Sequence, residues 1–478
     1  MSSALLAPAM FLSMATALLL GFPVALTLMA HGFIFLGIGI LTGFFDPVFT
    51  GAIPLRIYAI TFNELLLAIP LFTFMGMVLE RSGLAEDLLE TTGRLFGRIS
   101  GGLGLTVIVV GALFAATTGL VQASVIAMGL ISLPAMLKAG YDPRISTGVI
   151  AASATLAQVI PPSLVLIVFA DVMGISIGEL YAGAWLPGLV LAGLYLVMIG
   201  TTALFRPAMM PPIPPTTEGP GLGKTLAAIL RSLLPPLVLL GLSLGSMFAG
   251  FATPTEAGAY GTLGAVAIAT MRGRLNRTRL RQAVDSTLLL SCCAVFILVG
   301  ATCFTLPFRG MDGHLWVEGL FSALPGGATG FLAVSNLIVF LLAFFLDFFE
   351  IAFIVLPLLV PVAQGLGIDL VWFAVLLCVN MQTSFMHPPF GMALFSLRSV
   401  APPEVRSSDI YRGALPFILI QIAMVILLIA WPAMTRPFGE RVRPIGPPRS
   451  IDLPPPDIPE PARIATRTRV LPAPLPAA

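Results

Sequence analysis

Charge is what this chain has least of. Only 10% of its 478 residues are charged while 57% are hydrophobic, whereas a solvated globular domain carries charge on about a quarter of its residues. A water-soluble domain is excluded. Histidine is scarce as well, with three residues in all, so most hydrolytic schemes lack their parts. The chain has no phosphate-binding Gly-Lys-Ser/Thr loop, no metal-type His pair, and no Cys or Ser with a base close in sequence. No enzyme and no catalytic residue is expected. Cysteine is limited to Cys292, Cys293, Cys303 and Cys378, all in apolar runs, and these are expected to be buried thiols packing as small hydrophobes rather than a disulfide framework. A net charge of +2 gives no footing for nucleic acid. No Lys or Arg precedes Arg56, so the N-terminus lacks the basic region of a signal peptide and is expected to be inserted without cleavage.

What the chain does have is apolar length. Charge-free windows at 3–45, 104–137, 145–170, 182–205, 232–255, 257–271, 286–308, 319–346, 370–397 and 413–435 are long enough to cross the hydrocarbon core or to enter and leave it. They predict an all-α polytopic membrane protein with about ten to eleven transmembrane helices plus two re-entrant hairpins.

One passage occurs twice. Pro134, Gly140, Asp142, Pro161 and Pro162 each have a counterpart 227 residues on, at Pro361, Gly367, Asp369, Pro388 and Pro389. Each copy is an apolar stretch broken by polar and kinking residues, which is how a membrane protein builds a solute site at mid-depth. The expected organisation follows. Residues 1–103 are N-terminal helices and a surface helix. Residues 104–180 are the first repeat, with a hairpin at 104–138 and a broken helix at 144–175. Residues 181–308 are further helices with an extended Pro-rich linker at 206–223. Residues 319–400 are the second repeat, with a hairpin at 330–364 and a broken helix at 370–397. A C-terminal helix at 411–436 and a disordered Pro-rich tail at 437–478 complete the chain. Thr253-Pro254-Thr255-Glu256 reads as a helix start, with Thr253 as N-cap and Glu256 closing a capping box.

If the two hairpins return to their side of entry, sixteen positive residues fall on one face and only Arg56 and Arg309 on the other, leaving seven in the tail. The positive-inside rule makes the first face cytoplasmic and puts the N-terminus outside. The two copies are then inverted.

The candidate site residues lie at the interruptions. In the first copy Thr117, Thr118, Gly119, Gln122 and Ser124 interrupt a 34-residue apolar run. Two readings stand: a hairpin tip whose exposed peptide groups meet a solute, or one long tilted helix with its hydroxyls bonded to its own backbone. Ser153, Thr155 and Gln158 precede Pro161, Pro162 and Ser163, where two adjacent prolines must open a helix. Asn380, Gln382, Thr383 and Ser384 precede Pro388 and Pro389 in the same way. Asp347 and Glu350 form the second tip. A carboxylate at the centre of a span costs roughly 2.5–3.5 kcal/mol, so the pair is either functional or placed at the membrane surface. His387 is either a structural hydrogen-bonder or a titrating group.

The motifs Ile69-Pro70-Leu71-Phe72 with Gly76, Arg81-Ser82-Gly83-Leu84, Lys138-Ala139-Gly140-Tyr141-Asp142, Ile160-Pro161-Pro162-Ser163, Thr253-Pro254-Thr255-Glu256-Ala257 and Asn380-Met381-Gln382-Thr383-Ser384 leading to Pro388-Pro389-Phe390-Gly391 resemble the large membrane subunit of the tripartite ATP-independent periplasmic (TRAP) transporters. The resemblance covers nearly all of residues 1–436. It implies a sodium-driven importer of a small organic anion, a carboxylate, in the bacterial inner membrane, working by an elevator mechanism in which the repeats at 104–180 and 319–400 form a transport domain and 1–103 and 181–308 the scaffold. No cofactor is implied beyond sodium as coupling ion. The implied partners are a small four-helix membrane subunit and a periplasmic substrate-binding protein. Sodium would lie at each hairpin with its break, and the substrate carboxylate between them. The chain departs from the family pattern in its first tip, which is less rich in Gly and Ser, and at His387, where a small hydroxyl residue is common. Its Leu346-Asp347-Phe348-Phe349-Glu350 tip resembles a subgroup associated with 2-oxo acids and lactate. Set beside this reading are a single-component inverted-repeat anion transporter, which would work alone, and a channel or structural subunit.

Overall fold

The computed structural model describes residues 5–436 apart from 98, 120, 214–221, 323, 345, 389 and 390. The expected tail, Arg98 and Pro389 lie outside these residues. Among the described residues the secondary structure is helical throughout, with no strand. Among the described residues seven helices are long and apolar enough to cross a membrane, and the pair Pro47–Thr61 and Glu64–Arg81, bent by 48°, makes an eighth span if counted as one. Shorter apolar helices, among them Leu6–Leu19, Leu164–Met173, Gly327–Leu342 and Leu370–Ser384, fill other apolar windows, because Pro and Gly interrupt the helix where hydropathy alone runs on.

Glycine sets how closely the long helices approach. Gly32 and Gly300 bring Val24–Leu41 against the backbone of Arg277–Gly310, and Gly148 and Gly413 do the same for Pro143–Thr155 and Ser407–Ala430; none of these four positions has room for a Cβ. Close backbone approach through small residues is how helices gain packing energy where lipid is as apolar as the protein. The predicted capping box forms: Glu256 N–H donates to Thr253 Oγ1 at 3.3 Å, and Thr253 N–H to Glu256 Oε2 at 2.7 Å.

The first copy holds two helices here rather than one long tilted helix. Gly102–Thr118 and Val121–Lys138 are separate helices. Leu103, Thr106 and Val107, near the start of one arm, line the same cavity as Ile131, Ser132 and Met136, near the end of the other. A continuous helix of this length would hold those residues tens of ångströms apart at 1.5 Å per residue. Gly119 makes the turn with φ +63°, a conformation open to glycine without a Cβ clash. The second hairpin pairs Gly327–Leu342 with a helix running from Phe348 to Gly365 through a π-helical stretch at Ile351–Val355.

Two expectations need correction. Cys303 and Cys378 are buried but Cys292 and Cys293 are exposed, because a lipid-facing position is as apolar as a core one and composition does not separate them. The linker is not wholly extended. Pro207–Met209 forms a 3-10 turn and helix resumes at Leu222. Its backbone is tied to the base of the first hairpin: Gly101 N–H donates to Met210 O, Asp142 N–H to Met209 O, and Ile213 N–H to Gly97 O. Those bonds satisfy peptide groups that would otherwise be left without partners beside the bundle.

Candidate functional site

Both breaks form where the prolines stand. The first helix runs Pro143–Thr155, tightens into a 3-10 turn at Leu156–Gln158, and restarts at Leu164–Met173 with Ser163 as N-cap. Pro161 and Pro162 lack the N–H groups that would bond the carbonyls of Ala157 and Gln158. The Gln158 carbonyl accepts instead from Ser163 Oγ at 2.5 Å and from Cys378 Sγ at 3.2 Å. Tyr181 OH donates to the Ser163 carbonyl at 3.3 Å. The second helix, Leu370–Ser384, stops ahead of Pro388, and the Ser384 carbonyl accepts from His387 N–H at 3.3 Å. Thr383 and Ser384 spend their hydroxyls on their own helix, donating to Asn380 O and Met381 O.

The two breaks touch. Gln382 Nε2 donates to Thr155 Oγ1 at 3.0 Å, across 227 residues. That separation is the offset of the sequence repeat, so these are equivalent positions of the two copies. Equivalent residues meet only where a two-fold axis relating the copies passes between them. Gln421 of the C-terminal helix extends the contact, donating to Tyr195 OH at 2.9 Å and, more weakly, to Thr155 Oγ1 at 3.4 Å. All four side chains are buried.

Both hairpin tips reach this centre. Gly119 lies against Pro162 and Leu164 of the first break. A cavity of about 140 Å³ is lined by Gly119, Gln122 and Gln158 of the first copy and by Asp347, Phe349 and Phe385 of the second, with Met77 and Leu290 closing it. A second cavity, of about 390 Å³, is lined by Asp347, Glu350, Ser384, Phe385 and Met392. Asp347 and Phe385 line both. Within the smaller cavity Gln158, 1% exposed, has neither amide atom hydrogen-bonded among the described residues. Leaving such a group unpaired costs about 1–3 kcal/mol, so its amide is free to meet a ligand. The Gln382 carbonyl oxygen is also without a partner.

Asp347 and Glu350 lie between Gly327–Leu342 and the helix that starts at Phe348, and both line the cavity beside the second break. They also have a structural task. Asp347 caps the second arm and Glu350 Oε2 accepts from Asp347 N–H at 3.0 Å, a reciprocal capping box. The Asp-x-x-Glu spacing carries that signal in sequence, although the pair's charge is its more conspicuous feature. The hydrogen-bonding role considered for His387 is not found: neither ring nitrogen has a partner among the described residues, and the ring stacks on Phe344 at 4.3 Å and meets Phe340 edge-on at 4.4 Å.

Of the remaining candidates, Ser124 is buried, Gln122 is exposed with Nε2 3.5 Å from Met392 Sδ, and Ser153 donates to Ile150 O at 3.0 Å. Thr117 and Thr118 lie on the last turn of the first arm. Asn380 Nδ2 donates to Asn336 O at 2.7 Å. Asn336, Tyr195 and Gln421 are absent from the sequence-based candidates. Each is a polar residue inside an otherwise apolar run, which is the signal that finds them.

The family described as "Tripartite ATP-independent periplasmic transporter, DctM component" matches residues 11–434. The C4-dicarboxylate TRAP transporter large permease protein DctM of Pseudomonas aeruginosa is 28% identical, over 82% of this chain and 90% of its own. The ectoine/5-hydroxyectoine TRAP transporter large permease protein UehC of Ruegeria pomeroyi is 29% identical, over 89% and 97%. The sialic acid TRAP transporter large permease protein SiaM of Vibrio cholerae is 28% identical, over 77% and 84%. Among solved structures, the YdaH transporter of Alcanivorax borkumensis aligns over 83% of this chain and 89% of its own, with a TM-score of 0.55 at 16% identity; at that identity the likeness concerns the fold.

Proposed function

The chain belongs to the DctM component family of the tripartite ATP-independent periplasmic transporters, and from that premise we propose that it is a sodium-coupled importer of a small carboxylate that works by an elevator motion. It is a multi-pass inner-membrane permease subunit and not an enzyme. The partners on this reading are a small four-helix membrane subunit and a periplasmic substrate-binding protein.

The observation that carries the proposal is the meeting of both tips and both breaks on one cavity, with the equivalent residues Thr155 and Gln382 hydrogen-bonded beside it. Each copy brings oxygen donors to its own tip and break. In the first these are the Gln158 side chain and the peptide groups about Gly119. In the second they are Asp347, Ser384 and the Gln382 carbonyl. A hard cation such as sodium takes oxygen ligands of this kind. The substrate carboxylate lies between the two, on the Gln158 amide nitrogen, with a sodium ion at Asp347 offsetting the repulsion of that carboxylate across the cavity. The two hairpins and two broken helices move together against the remaining helices. An inward membrane potential favours net positive charge by about 2.3 kcal/mol per 100 mV for each charge, which is more than a tenfold concentration ratio.

Uptake of labelled succinate, lactate and pyruvate by proteoliposomes containing both membrane subunits, with the binding protein outside, tests this. Uptake is expected to need a sodium gradient and the binding protein. Uptake without either would sink the proposal.

A further inference from the structure

A second cavity, apart from the tips and breaks, has an unusual charge content. It measures about 260 Å³, and its polar lining is Arg56, Asn63, Asp171, Thr302, Thr305 and Arg309. Arg56 comes from the short helix Ala52–Thr61, Arg309 from the last turn of Arg277–Gly310, and Asp171 from Leu164–Met173, the far half of the first broken helix. Three separate elements therefore bring their charges to one place.

The two arginines are the only positive residues that the charge count puts on the external face ahead of the tail. Positive charge is depleted on that side of a membrane, so two guanidiniums lining one cavity there run against the trend. Neither makes a hydrogen bond or an ion pair among the described residues. Asp171 is within the same cavity, yet its Oδ1 accepts from Asn63 Nδ2 at 2.7 Å and it pairs with neither arginine. Two guanidiniums against one carboxylate leave one positive charge unmatched. The hydroxyl hydrogens of Thr302 and Thr305 go to Leu298 O at 2.9 Å and Thr302 O at 3.5 Å. The arginines are thus the donors that a solute entering the cavity would meet, and a guanidinium presents a fork of N–H groups that matches a carboxylate.

We infer that Arg56 and Arg309 form an external capture site for a small carboxylate, distinct from the site between the tips. The inference rests on the reading of this chain as a carboxylate importer. An anionic lipid phosphate would satisfy the same two guanidiniums, so the test separates the two sources.

The arginine reagent p-hydroxyphenylglyoxal is applied to the purified chain in neutral detergent, and modification of Arg56 and Arg309 is followed by mass spectrometry. Succinate, lactate or pyruvate, at about two to nine times its dissociation constant, is expected to slow modification of both by roughly three- to tenfold, the factor of one plus concentration over Kd set by occupancy, while the matching amides do not. Arg309→Gln is expected to remove the protection of Arg56. Equal modification with and without all three acids would overturn the site, as would protection by added phosphatidylglycerol alone. In proteoliposomes of phosphatidylcholine, Arg56→Gln and Arg309→Gln are expected to raise the half-saturating substrate concentration by the same factor at nearly constant maximal rate, with Arg→Lys variants partly restoring it. A fall in maximal rate alone also counts against the site. If the wild type protects its arginines yet transports none of the three acids, the capture site stands and the function proposed above falls.

Discussion

The two copies of the repeat are built alike and furnished differently. Each has a hairpin and a proline-broken helix, and each broken helix begins at an aspartate: Asp142 Oδ1 accepts from Arg144 N–H at 2.8 Å, and Asp369 Oδ1 from Val371 N–H at 2.8 Å. The first copy brings no carboxylate to the shared cavity; its polar groups there are Gln122, the unpaired Gln158 amide and the backbone at Gly119. The second brings Asp347, with Glu350 close by, on a tip whose start those same carboxylates cap. The lesson is that a common backbone plan fixes where two sites are, while the side chains at the tips decide what each can hold. The first offers neutral polarity, the second negative charge.

Substitution at Gln158 bears hardest on this comparison. Gln158→Leu removes two buried polar atoms that have no partner, so thermal stability is expected to hold or rise, while uptake falls by roughly 10- to 100-fold, the range for losing a group that serves an ion site. Wild-type uptake in this variant would reduce the first copy to scaffold. Asp347→Asn is next. Asparagine is as good an N-cap as aspartate, so the tip is expected to persist while its charge is lost. The half-saturating sodium concentration should rise by about tenfold, and an unchanged sodium dependence would mean that Asp347 only caps.

The link between the copies is open to a double-mutant cycle. Thr155→Val and Gln382→Leu are expected to be coupled by about 1 kcal/mol, the net value of one hydrogen bond, in denaturant titrations of the detergent-solubilised chain. Zero coupling would make the contact at the two-fold axis incidental.

The smallest effect concerns Asp369, the capping aspartate of the second copy. Burial alone would raise the Asp369 carboxyl, but the hydrogen bonds and charge of Arg436, with the Trp372 and Val371 amides, outweigh it and hold the group below the ordinary aspartate value. A depressed carboxylate contributes stability above its unfolded-state value, and the contribution is lost as pH falls through the folded one. Arg436→Gln should therefore lower the stability to unfolding slightly at neutral pH, by about a few tenths of a kcal/mol for so exposed a pair. The difference should vanish in acid below the ordinary aspartate range. A difference that persists there would assign the effect to packing.

Much of the fold is legible in the residues themselves. Two adjacent prolines cannot sit inside an unbroken helix, so Pro161-Pro162 and Pro388-Pro389 announce the breaks, and their spacing announces the repeat. Thr253 and Glu256 announce a helix start because a capping box depends on residues three apart. Other features are hidden for definite reasons. Cys292 and Cys293 resemble core residues because lipid and core are equally apolar. The linker's docking at Met209 and Met210 rests on backbone bonds, which side-chain identity does not encode. The Asp347 and Glu350 capping box obeys the same rule as the Thr253 one, but there the carboxylates carry a second meaning through their charge, and spacing alone does not separate the two.

What the sequence determined by itself is the set of local events: apolar length that requires a membrane, prolines that open helices, a glycine that turns the first tip, and the family to which the chain belongs. Those depend on neighbours within a few residues or on the pattern as a whole. The tertiary structure decided which of these events share a site. Thr155 meets Gln382, Gly119 meets Pro162 and Leu164, and Arg56 and Arg309 line one cavity. Contacts of that kind are fixed by how whole helices pack, through glycine-lined close approaches and buried polar pairs far apart in the chain, and no local spacing encodes them.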